Sequence, residues 1–357
     1  MTRGDEVFGL DKRKALAGVA IAMLLAVGAV TLVGQVADFD EVLEALRQAD
    51  KLWFPVCLVG LFCAYTGYVL GYREVARMHG GPSLPFWTVA RIVGIGFGAN
   101  VLGSAAGGLA VDFWALRRAG AATHDSARRV LGFNTLEWAL LGTGACAAAL
   151  AVLAGAGSGA PLAMTLSWIV VVPVCIVAAV WISSPRRRHR FAALEGPEPE
   201  APGRSPKRWL VWVWAQARKG LADAIGGVLV VRHLVTHPRS HPAGILGFAV
   251  YWFGHLFTLY AALRAFGVDD VGLAPLVLAF ATGYVATALP LPGGGSGGIE
   301  AALAFSLHAV GVSLAPALLA ALVYRFFTFW LPIVPALVLV PSVKQLDSEL
   351  ANLRQAA

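Results

Sequence analysis

The chain has 357 residues, of which 58% are hydrophobic and only 14% charged, and its formal net charge is +7. A soluble domain needs a more polar surface, and the alternating segments of about 10 residues that build a membrane β-barrel are absent, so the composition selects an all-α integral membrane protein. The basic excess is concentrated around residues 184–241 beside tryptophans, which points to anionic lipid headgroups and away from nucleic acid.

Lys12, Arg13 and Lys14 precede the first apolar run, residues 15–34. It is longer than the hydrophobic region of a typical signal peptide and lacks a small-x-small cleavage site, so it is expected as a retained helix. Segment 38–51, "DFDEVLEALRQADK", has helical periodicity and many charges and belongs at the surface. Membrane helices are expected at 53–72, 131–154, 162–183, 243–265 and 315–341. Each approaches or exceeds the roughly 20 apolar residues that cross a hydrocarbon core of about 30 Å. Two further regions, 86–118 and 271–310, are apolar but interrupted by glycine.

The longest polar stretch, 184–208, is rich in Pro, Gly and charge and reads as a linker. It separates an N-terminal membrane half, 1–183, from a C-terminal half, 209–345, with a short cytoplasmic tail at 346–357. After the linker, "KRWLVWVWAQARKG" (207–220) mixes Trp209, Trp212 and Trp214 with basic ends, which suits the headgroup layer. Cys57, Cys63, Cys146 and Cys175 fall in apolar runs, as small buried side chains and not as a disulfide framework or metal site.

Assigning the basic clusters to the cytoplasm places both termini inside if each glycine-interrupted region enters and leaves on one side. Region 86–118 then dips from the cytoplasmic side and 271–310 from the outside. The alternative, in which 271–289 crosses fully, puts the C-terminus outside. Paired broken segments in opposite halves suggest two re-entrant hairpins in an inverted-topology repeat, with a site near the midplane.

The candidate site starts from "LPLPGGGSGGIEAALAF", residues 289–305. Irregular backbone at membrane depth is tolerated only where it is buried in protein or lines a wet cavity. Gly293, Gly294, Gly297 and Gly298 would turn backbone N–H groups toward an anion, with a helix starting near Ile299 aimed at the same place. The bland alternative is close packing of a tight hairpin, with Glu300 favourable in a first helical turn.

Arg325 lies near the middle of the last apolar run, where a buried cation is costly and needs a partner. It either meets a lipid phosphate bidentately or forms a structural ion pair with Glu300. Asp112 follows the first glycine break, and Asn134 and Glu137 share a face at i, i+3, so these three are candidates for a polar lining or proton relay. His255 and His308 are weaker candidates, since each suits a hydrogen-bonded packing role. No Walker loop, HExxH, GxSxG or paired cysteine–histidine spacing occurs, and no metal or other cofactor is expected.

The run "LPLPGGGSGGIEAAL", followed by "YRFFTFWLP", resembles the C-terminal signature of the lysylphosphatidylglycerol synthase transmembrane (flippase-like) family. The resemblance is carried by Pro290, Pro292, Gly293, Gly294, Gly297, Glu300, Tyr324, Arg325, Phe329 and Pro332. Over 95–140 the likeness is looser: Ala105 or Ala106 stands where many members carry arginine, Gly108 where they carry the acid, and Asp112 comes later.

The resemblance implies a module that moves lipid between leaflets, beside a cytosolic aminoacyl-transferase domain. This chain ends at Ala357, soon after its last apolar run, so the synthase activity is not expected here. The function expected is a non-enzymatic translocator of an anionic phospholipid or lipid-linked polar group in the cell membrane. The alternative is a lipid-binding scaffold serving a separate membrane enzyme. A glycosyl- or aminoacyl-transferase would need a catalytic cluster that the sequence does not offer.

Overall fold

A computed structural model describes residues 28, 39–103, 105–157, 159–184, 186, 206–289 and 296–356. The helix expected at 15–34 and most of the 184–208 linker lie outside the described residues. Among those described, every regular element is helical, and five helices are long and apolar enough to cross a membrane. The protein is therefore an all-α polytopic membrane protein.

Helix α1 (Phe39–Arg47) is short, charged and mostly exposed, as its surface periodicity required. Helix α2 (Trp53–Arg77) is the first long span among the described residues. Helices α3 (Phe86–Gly103) and α4 (Ala105–Arg118) follow as a hairpin. Helix α5 (Thr123–Leu153) crosses next. Helix α6 (Leu162–Ile182) stands at the periphery with most of its apolar side chains facing outward, where lipid is their solvent.

The second half repeats the order. Helix α7 (Pro206–Thr236) leads to the long α8 (Pro242–Ala265). A second hairpin follows, from α9 (Leu273–Tyr284) and α10 (Gly298–Ala309). The final span begins with α11 (Leu314–Arg325), changes to a π-helical turn over Phe326–Trp330, and continues through α12 (Ile333–Leu339) to α13 (Val343–Ala356). Each half thus reads long helix, short-helix hairpin, long helix. At about 1.5 Å per residue the 12 residues of α10 reach only about 18 Å, well short of a crossing, while α9 continues as a 3-10 helix to Ala288. The 14 residues of α4 reach about 21 Å.

The two halves are joined along α2 and α8, which run antiparallel in backbone contact. A Cβ added to Gly67 would sit 2.5 Å from the Gly247 carbonyl oxygen and from the Tyr251 amide nitrogen. Farther along, Gly254 meets Ala64 and Gly60 meets Thr258. In a bilayer, helices gain little from the hydrophobic effect and associate by such close packing of small residues.

The first hairpin breaks inside the expected 96–113 stretch, since α3 ends at Gly103 and α4 begins at Ala105, but not at Gly107–Gly108: α3 runs through Gly96 and Gly98, and α4 through Gly107 and Gly108. They are needed between the arms, where Gly96 faces Gly108 and a Cβ on Gly107 would strike the Ala99 carbonyl. The Asn100 side chain seals the contact by accepting a hydrogen bond from the Gly108 amide at 2.7 Å. Helix α13, expected as a plain tail, is docked across the open end of this hairpin. Glu349 binds Thr88 and Arg91, and Asp347 pairs with Arg118 at 2.5 Å.

Candidate functional site

The two hairpins meet the long helices around one polar cavity of about 170 Å³. The first hairpin contributes Asn100, Gly108 and Asp112, and the second Tyr284 and Ile299. Helix α2 adds Tyr68, α5 adds Asn134 and Glu137, α8 adds Tyr251 and His255, and α11 adds Tyr324 and Arg325. Leu289, on its rim, is exposed, so the cavity reaches the molecular surface beside the second hairpin. The volume holds several waters or the polar end of a ligand, and is smaller than the roughly 300 Å³ at which pockets begin to enclose a drug-sized molecule.

One pole is built on Arg325 and Glu300, 7% and 1% exposed. Arg325 Nε donates to Glu300 Oε1 at 3.2 Å. Glu300 Oε2 accepts a hydrogen bond from the Gly297 amide at 2.7 Å. Gly297 has φ 86°, a left-handed conformation that favours glycine, and it turns the chain into the first residue of α10, Gly298. The carboxylate thus occupies the positive end of its own helix while orienting the guanidinium.

The π-helical turn directly after Arg325 brings Phe329 under the guanidinium, 4.1 Å from ring centroid to Cζ. Tyr324 is 1% exposed, and its hydroxyl lies 2.7 Å from His255 Nδ1.

The other pole is acidic. Asp112 and Glu137 are 4% and 8% exposed, and both line the cavity. Their backbones are fixed by the long helices: Tyr72 donates its hydroxyl to the Asp112 carbonyl at 3.3 Å, and Trp252 donates its indole N–H to the Glu137 carbonyl at 2.8 Å. Tyr251 and Tyr284 line the same space as the Glu137 carboxylate. Among the described residues, neither acid is in an ion pair.

Seven of the ten sequence candidates can be located at this centre. Asp112, Asn134, Glu137, Tyr324 and Arg325 line the cavity; Glu300 stands behind Arg325, and Gly297 caps it. Gly298 begins α10 with no side chain to offer, while Gly293 and Gly294 lie outside the described residues. His255 joins the lining, but His308 bonds the Val312 carbonyl at 2.9 Å and takes no part.

Sequence reasoning found Tyr324 but missed the rest of the aromatic wall. Four of the chain's seven tyrosines line the cavity, and hydroxyl-bearing rings inside apolar runs were the available signal, since each needs a polar partner at depth. It also missed Asn100 and the π-helical turn.

Residues 16–336 match the family model described as the lysylphosphatidylglycerol synthase TM region. No curated protein matches the chain.

Proposed function

This chain belongs to the lysylphosphatidylglycerol synthase TM family, and we propose that it is a membrane translocator of a phospholipid or lipid-linked polar group between leaflets. The observation that carries this reading is Arg325 lining a polar cavity between two short-helix hairpins while held by Glu300. A planar guanidinium there meets a phosphate through two parallel N–H bonds. Glu300 holds that group oriented while the cavity is empty, and an arriving phosphate takes over as partner as the ion pair loosens. The cavity admits only the headgroup, so the acyl chains remain outside in lipid.

The protein binds and moves its ligand without converting it. We place both termini and residues 184–241 at the cytoplasmic face, because the basic clusters lie there. Cysteines introduced near residues 195 and 352 should then resist a membrane-impermeant reagent in intact cells.

The test is leaflet exchange of labelled anionic phospholipid in proteoliposomes. Wild-type protein should accelerate exchange over protein-free vesicles, and a folded Arg325→Lys variant should be at least tenfold slower. Retention of lipid without exchange would instead assign a binding module.

A further inference from the structure

The proposed function leaves the acidic pole unused. Asp112 is buried, faces the cavity, and has no hydrogen bond or ion pair to its carboxylate among the described residues. Glu137 faces the same space, close enough for the two negative charges to repel each other. Two ionised carboxylates at membrane depth without a cation are costly.

The groups that face them offer little charge compensation. From α2 comes the Tyr68 hydroxyl, and from α3 the Asn100 amide. From α5 comes Asn134, from α8 Tyr251 and His255, and from α9 Tyr284. From α11 come Tyr324 and Arg325, and Arg325 is engaged by Glu300. No three His, Cys, Asp or Glu side chains among the described residues are arranged to hold a metal ion. A proton satisfies a carboxylate pair without any such cage.

We propose that Asp112, beside Glu137, carries a proton while the cavity is occupied, and that this proton moves with the anionic headgroup. This rests on the translocator reading above. The proton comes from water on the donor side, binds an Asp112 carboxyl oxygen, and returns to water on the acceptor side; no other bond forms or breaks. Loading removes the negative charge that would repel a phosphate from the Arg325 pole, so proton and anion enter together. Glu137 remains at the same pole beside Tyr251.

A lipid with one negative charge moving with one proton is electroneutral. Each pH unit across the membrane is worth about 1.36 kcal/mol, which is about a tenfold skew in the leaflet distribution of that lipid.

Two measurements test this. Infrared difference spectroscopy of the purified full chain at neutral pH should show a protonated carboxyl C=O band that shifts in D2O and is absent from Asp112→Asn. A spectrum identical in wild type and variant overturns the proton site, whether or not any lipid moves. In proteoliposomes, a one-unit gradient should enrich labelled phosphatidylglycerol about tenfold in the leaflet facing the alkaline side, and an imposed membrane potential should leave that ratio unchanged. An even distribution with brisk exchange overturns the coupling while leaving the translocator intact. Failure of wild type to exchange lipid overturns the translocator and the coupling together, and the infrared band then still decides the proton.

Discussion

The two hairpins each bring a buried carboxylate to the same cavity and treat it in opposite ways. In the second, Glu300 is fully employed: one oxygen meets Arg325 and the other caps α10 at Gly297. In the first, Asp112 is held only through its backbone, by Tyr72, and its side chain meets neither a cation nor a donor among the described residues. The arms are also closed differently. Glycines press α3 and α4 together and α13 clamps their open end, whereas in the second hairpin Gly297 in a left-handed conformation opens α10. One carboxylate maintains the site, and the other is free to change state.

The largest effect that would break this contrast is on stability. Glu300→Ala removes the carboxylate that orients a buried guanidinium and uncaps α10, and should cost about 3 kcal/mol. Asp112→Asn, which replaces a carboxyl that has no partner among the described residues by an amide of the same shape, should cost less than about 1 kcal/mol. Thermal unfolding in detergent compares the two, and equal losses would abolish the distinction.

Next comes the first hairpin's closure. Gly107→Ala drives a methyl group into the Ala99 carbonyl, and should destabilise by about 1–3 kcal/mol through overpacking. The same substitution at Gly144, inside α5 with open space around it, should instead stabilise by about 0.5–1 kcal/mol.

Arg325→Lys keeps a charge beside Glu300 but loses the planar fork. It should lower the unfolding free energy by about 1 kcal/mol, while slowing lipid transfer far more than that loss explains. If transfer remains normal, the bidentate role is wrong even with the cavity intact.

The smallest effect lies outside the spans. Burial, then crowding by His79, His237 and His241, holds the His233 imidazole below its usual range. The folded state therefore resists a proton that the unfolded chain takes up. The stability that neutral His233 contributes is present above about pH 6.5 and is lost as the pH falls below it. Amide exchange at the end of α7 should rise modestly between neutral and mildly acidic buffer, and His233→Gln should flatten that rise.

Most of the architecture was legible because a bilayer enforces it. Run length marked the spans, and the charge pattern of segment 38–51 marked α1. The Arg325–Glu300 pair was legible because an intramembrane charge demands a partner and the sequence offered a nearby acid. Gly107 and Gly108 were misread as the break, because composition does not distinguish a glycine that ends a helix, as Gly103 does, from one that lets two helices touch. The rest of the tyrosine wall beyond Tyr324 was missed because each ring sits singly in an apolar run, and only the fold gathers Tyr68, Tyr251 and Tyr284 with Tyr324 around one space. The docking of α13 rests on pairs such as Arg91–Glu349, whose partners are too far apart in sequence for local pattern to join them.

Native mass spectrometry of lipid retained by the purified protein tests most directly whether Arg325 holds a headgroup. Wild-type protein should carry bound anionic phospholipid, and Arg325→Lys, folded by circular dichroism, should lose at least nine-tenths of it. Equal occupancy of the same lipid in both proteins would contradict the account.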